Sequence, residues 1–122
     1  MSGYRDIVIS RLARSLSVYR VVDQPELAER AAEMLKAIAH PLRLRIVAVL
    51  TEGDAHVGAL AERLDVKQPI VSQQLRILRM RGLVRAVREN GLAVYRLTQP
   101  HLIDMLGCVQ SCLRVESERG AA

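Results

Sequence analysis

The spacing of apolar residues changes period along this chain, and each change marks an element. In DQPELAERAAEMLKAIAHPLRLRIVAVL, residues 23–50, Leu27, Ala31, Met34, Leu35 and Ile38 recur every three to four positions, the period of a helix face. Asp23 and Glu26 stand at capping-box spacing, which predicts a helix over about 24 to 38. Pro41 restarts the chain into a second helix, with Leu42, Ile46, Val49 and Leu50 on one side and an end near Gly53. Upstream, IVISRLARSLSVY is amphipathic too, and Ile7, Leu12, Leu16 and Tyr19 form the face an extra N-terminal helix would lay against the body or a partner subunit.

Two short helical segments follow, HVGALAERL and KQPIVSQQLRILRMRG, separated by Asp65 and Val66. Leu60, Ala61 and Leu64 in the first and Val71, Leu75 and Leu78 in the second supply facing stripes, so the pair is a helix-turn-helix over 55–81. Gly82 stops the second helix. LVRAVRENGLAVYRL, residues 83–97, then alternates apolar and polar positions about Asn90-Gly91, the dipeptide most favoured in a two-residue type I′ turn, and predicts a hairpin. Thr98, Gln99 and Pro100 open a last amphipathic helix over about 100–117. The fold class expected is mainly α with a small β-hairpin, in one domain of 122 residues with an N-terminal extension over 1–22.

Composition narrows the function. The core lacks Phe and Trp and must be built from aliphatic residues and Met, and so small a chain gains stability from self-association. No apolar run approaches the roughly 20 residues that cross a bilayer, and no secretory leader opens the sequence, so a cytoplasmic protein without a membrane partner is expected. The net charge of +5 is concentrated: Lys67, Arg76, Arg79, Arg81, Arg85, Arg88 and Arg96 stand against Glu89 alone between positions 67 and 97. A local surplus of that kind marks a surface for a polyanion. No Ser/His/Asp set, Gly-rich phosphate loop or paired carboxylates emerge, so catalysis is not expected.

A helix-turn-helix followed by an arginine-bearing hairpin has an evident partner in double-stranded DNA. The second helix would enter the major groove and the hairpin would reach along the backbone or minor groove. Gln68, Ser72, Gln73 and Gln74 lie near the N-terminus of that helix, where polar side chains meet base edges or phosphates. Lys67 precedes them, and Pro69 fits a first turn that needs no amide partner. Arg76, Arg79 and Arg81 further along, and Arg85, Arg88 and Arg96 on the hairpin beside Asn90, can neutralise phosphate. A protein-interaction module that uses the same elements without reading DNA is the alternative.

Over residues 27–113 the chain resembles the ArsR-type (arsenical-resistance-repressor-like) winged helix-turn-helix regulators. The resemblance is carried by LKAIAHPLRLRIVAVL, VGALAERLDVKQPIVSQQLRILRMRGLV and the wing VRENGLAVYRL. It implies a homodimeric repressor that leaves a near-palindromic operator when a ligand or oxidant is sensed, dimerising through its N- and C-terminal helices. One recognition helix reads few base pairs, which independently argues for two half-sites about 34 Å apart. Leu102, Met105, Leu106, Val109 and Leu113 on the last helix would be buried in the seam.

The family's metal sensors often carry Glu-Leu-Cys-Val-Cys-Asp-Leu on the first helix of the helix-turn-helix. Here the matching stretch is DAHVGAL, with His56 and Gly58 in place of the two cysteines, and His56 is expected to be a surface or capping residue. His40, beside Pro41, is expected to be structural or capping as well. A second family site uses Asp-x-His and His-x-x-Glu on the terminal helix, where this chain has Gln99, His101 and Cys112. At 100° per residue His101, Cys108 and Cys112 fall within about 40° of one another. Cys108 and Cys112 could grip a soft ion such as As(III), Cd, Zn or Cu(I), or act as redox-active thiols toward an oxidant or reactive sulfur. They could equally be small apolar side chains filling the interface, with no cofactor at all.

Overall fold

The computed structural model describes the backbone of residues 19–121 and the side chains of 20–115. The N-terminal helix expected over IVISRLARSLSVY falls outside them except at its last position. The chain divides into two compact units, Met1–Lys36 and Ala37–Ala122.

The first unit holds helix α1, Tyr19–Asp23, and most of α2, Pro25–Ile38. Asp23, expected as the cap of α2 through its spacing to Glu26, instead closes α1. The Gln24 carbonyl accepts the Leu27 and Ala28 amides, both at 3.1 Å, and Pro25 takes the first helical position.

The second unit continues from the end of α2 through α3 (Pro41–Glu52), strand β1 (Ala55–His56), α4 (Val57–Leu64), α5 (Gln68–Met80), β2 (Val84–Glu89), β3 (Leu92–Leu97) and α6 (Leu102–Ala121). Its core is aliphatic: Ile46, Val47, Leu50, Leu60, Leu64, Val71, Leu75, Leu78, Leu83 and Val84, with Ala37 and Ile38 from the end of α2, are all buried. No polar side chain is buried with them among the described residues. Burying such stripes supplies most of the stability of helices this short.

The C-terminal ends of both helices of the helix-turn-helix are set by local backbone chemistry. After α4, Asp65 takes a left-handed conformation (φ 53°); its amide donates to the Glu62 carbonyl and that of Val66 to Ala61. After α5 the same pattern recurs at Gly82 (φ 74°), whose amide donates to Arg79 while that of Leu83 donates to Leu78. These are paired Schellman bonds with an apolar residue just beyond each turn. Glycine adopts that conformation freely at position 82, whereas Asp65 does so as one of the few side chains that tolerate it.

The hairpin forms as its sequence predicts. Glu89 pairs with Leu92, leaving Asn90 and Gly91 as a two-residue loop with φ of 50° and 80°, the signs a type I′ turn requires. The sheet nevertheless has three strands, in the order β1-β3-β2, because Ala55 and His56 pair antiparallel with Tyr95 and Val94. Two residues are too short to show an alternating pattern, so β1 was not foreseeable. Thr98 closes the base of the wing: its amide donates to the Leu83 carbonyl and its hydroxyl to that of Gly82.

The last helix corrects one expectation. Leu102 and Leu106, assigned to a subunit seam, are buried in the chain's own core, and Met105 packs against it. Only Val109 and Leu113, further along the same stripe, remain exposed. The buried positions of α6 lie at its N-terminal end, so its stripe outruns the core.

Candidate nucleic-acid interface

The recognition helix candidate, α5, turns Val71, Leu75 and Leu78 inward. At 100° per residue, Pro69, Gln73, Arg76 and Met80 then point directly outward, and all four are exposed. Lys67 is the N-cap, with an extended backbone and no side-chain capping bond. Pro69 has no N–H and the Ile70 amide donates to the Lys67 carbonyl at 3.0 Å. Among the first three helical residues, therefore, only Gln68 offers an amide to an anion. Gln68 and Ser72 are exposed as well.

Gln74 differs from its neighbours. It is half-buried, and its amide oxygen accepts from Nη1 of Arg43 on α3 at 3.2 Å. Arg45, two residues on, donates through Nη2 to the Leu64 carbonyl at 2.9 Å and so completes the C-terminus of α4. The two arginines of HPLRLRI thus tie α3 to both helices of the helix-turn-helix. That role is not legible in the sequence, because helical periodicity does not say which neighbour a polar side chain meets.

On the wing, Arg85, Arg88 and Asn90 are exposed, and Arg88 donates through Nη1 to the Gly91 carbonyl at 3.1 Å, which holds it at the tip. Arg96 is not a free cation. Its Nε and Nη2 lie 3.0 and 2.6 Å from Oδ2 of Asp54, and Nη2 is 3.9 Å from Oε1 of Glu89. Ile70 and Met80 are exposed apolar residues on α5 that sequence reasoning left out of the site.

The two histidines near the motif are caps, as expected. Nδ1 of His40 accepts from the Leu42 amide at the start of α3, and Nδ1 of His56 accepts from the Ala59 amide at the start of α4, both at 3.2 Å. A Cβ on Gly58 would stand 3.2 Å from the His56 ring. A side chain in the position of the family's second cysteine would therefore crowd the cap that this chain uses instead.

The candidate sensor residues lie apart from that surface in sequence. Cys108 and Cys112 are exposed free thiols one turn apart on α6. His101 sits in the turn before the helix, with Nδ1 3.7 Å from Oδ2 of Asp104. Alignment on one helix face does not make it a neighbour of Cys108: seven residues are about 10 Å along the axis. Among the described residues no three His, Cys, Asp or Glu side chains are grouped to hold a metal, so one chain alone does not assemble the expected ligand set.

Comparison with known proteins bears on this geometry. Residues 40–86 match the family described as bacterial regulatory protein, arsR family. The biofilm growth-associated repressor of Xylella fastidiosa (strain Temecula1) is 40% identical over 77 residues, covering 63% of this chain and 68% of that one. The chain belongs to the ArsR family. The crystal structure of the transcriptional repressor BigR from Xylella fastidiosa superposes with a TM-score of 0.68 at 34% identity, over 74% of this chain and 92% of that one. A solution structure of the homodimeric winged helix-turn-helix DNA-binding domain of Mb0332 from Mycobacterium bovis gives 0.69 at 28% identity, over 79% and 89%. This ArsR-family chain is accordingly a winged helix-turn-helix DNA-binding transcriptional repressor, and its family is one of regulators rather than enzymes. Among the described residues no helix is long and apolar enough to cross a membrane.

Proposed function

We propose that two copies of this chain grip a near-palindromic duplex, α5 of each in a major groove and each wing along the adjoining backbone or minor groove. The observation that carries this reading is the outward face of α5, where Pro69, Gln73 and Arg76 are exposed opposite the buried Val71, Leu75 and Leu78. Gln68, Ser72 and Gln73 read base edges, Lys67 and Arg76 meet phosphate beside them, and Arg85, Arg88 and Asn90 do so from the wing. Gln74 acts through Arg43 as a brace. The unburied half of the α6 stripe, Val109 and Leu113, forms part of the seam between copies.

Release is assigned to Cys108 and Cys112, which flank that seam, and the work is done in the cytoplasm. A thiol-reactive signal at these positions favours one dimer geometry over the other and changes the distance between half-sites. A soft ion would need donors from both copies, whereas an oxidant or reactive sulfur species needs the thiols alone.

Gel shifts on a duplex selected from a random-sequence pool, across a salt titration, test the reading. Binding that weakens steeply with salt and prefers a near-palindrome supports it, and indifference to DNA rejects it. Cys108→Ser and Cys112→Ser should keep DNA binding and lose release by arsenite, cadmium, zinc, peroxide or persulfide. Full response in both variants would refute the sensor assignment.

A further inference from the structure

We infer that Arg96 and Asp54 are positioning residues that lock the wing to the helix-turn-helix, and that Arg96, although it belongs to the basic hairpin, makes no contact with DNA. The inference rests on the DNA-binding reading and deepens it.

The cross-strand register poses the problem the pair solves. Arg85 of β2 is directly opposite Arg96 of β3. Directly opposed residues share a face of the sheet, and two like charges there repel. Asp54 removes the conflict by taking Arg96 through two nitrogens on one carboxylate oxygen, at 3.0 and 2.6 Å, and Glu89 adds a weaker contact at 3.9 Å. The Arg96 and Asp54 side chains are 32% and 39% exposed, so the pair is partly sheltered from solvent, unlike the open Lys36–Glu33 pair at 76% and 54%. Arg85 is left, with Arg88 at the tip, as a cation the wing can offer.

The location of Asp54 gives the contact its use. It lies in a five-residue junction that touches both the first helix of the helix-turn-helix and the wing. Glu52 accepts from Arg63 of α4 at 2.7 and 3.1 Å, Asp54 holds β3, Ala55 and His56 add the third strand to the wing, and His56 caps α4. The wing is therefore anchored at the point where the helix-turn-helix begins. A loose wing would lose phosphate contacts through misplacement, with no contact residue changed.

The two roles for Arg96 predict opposite signs for one substitution. If Arg96 met phosphate, Asp54→Asn would free it and tighten binding. If it positions the wing, Asp54→Asn weakens binding although it deletes a negative charge. The experiment measures affinity against salt for the full chain on a 30-base-pair duplex selected by the parent from a random pool. Arg85→Gln is the control and should lower the log–log salt slope by about 0.9 per phosphate lost. Arg96→Gln and Asp54→Asn should each weaken binding about three- to tenfold with the parent's slope, and the exchange Asp54→Arg with Arg96→Asp should restore much of the loss. A slope that falls in Arg96→Gln as it does in Arg85→Gln, or tighter binding by Asp54→Asn, overturns the assignment. If the parent binds no duplex, the DNA-binding reading itself fails, and amide hydrogen exchange still decides the lock: faster exchange of β1 and β3 amides in Asp54→Asn supports it, and unchanged exchange refutes it.

Discussion

Replacing Gln74 separates a brace from a base-reading residue. Arg43 is half-buried, its Nε is buried without a hydrogen-bond partner, and its Nη1 donates to Gln74 at 3.2 Å. Gln74→Ala would leave a second donor of the same guanidinium unmet. Hydrogen bonds to a charged group contribute about 1.5–3 kcal/mol. This one is at the long end of the usual range, and a half-buried arginine can relax toward water, so the expected loss is about 1–2 kcal/mol. For a folded region of this size that lowers the melting temperature by roughly 4–8 °C per kcal/mol. Melts must be compared at one protein concentration, since self-association stabilises the folded state. A double-mutant cycle with Arg43→Ala should return a coupling of about 1 kcal/mol, and the affinity for duplexes of different sequence should fall by one common factor. An unchanged melting temperature, together with lost discrimination at one base-pair position, would show that Gln74 reads DNA and that the brace is wrong.

Leu75→Ala empties the middle of the α5 stripe, where Leu75 is 1% exposed, and should cost about 2–5 kcal/mol in urea unfolding with an unchanged slope; a loss below about 1 kcal/mol would mean the core collapses around the site. Gly107→Ala on α6 should stabilise the chain by about 0.5–1 kcal/mol in thermal melts, because a Cβ there meets nothing within 4 Å of its own chain. If the same change weakens self-association in sedimentation equilibrium, the partner packs against that position. Hydrogen bonds and charge from Arg63 hold the Glu52 carboxyl below its usual range. The stability from that pair is therefore complete above the ordinary carboxylate range and is lost as pH falls through the lowered value. Glu52→Gln should flatten the acid limb of the stability curve below the ordinary carboxylate range, and an unaltered limb would remove the pair from that account.

What could be read without coordinates was whatever depends on neighbours in the chain. The stop at Gly82, Pro69 in the first turn of α5, the Asn90-Gly91 turn and the inward faces of α4 and α5 follow from local backbone sterics and from burial at a fixed period. The two histidine caps are local in the same sense. The choice among distant partners was not legible. Leu102 and Leu106 have the pattern of a seam and also of a core, and only the path of α6 over the body assigns them inward and leaves Val109 and Leu113 outside. Arg96 and Arg85 are alike in type and share a face of the wing, yet Asp54, 42 positions away, pairs with one and leaves the other exposed. Gln74 stands among glutamines of equal polarity, and Arg43, 31 positions away, turns it inward. A side chain's chemistry states what it can bond to, and three-dimensional proximity decides which bond is made.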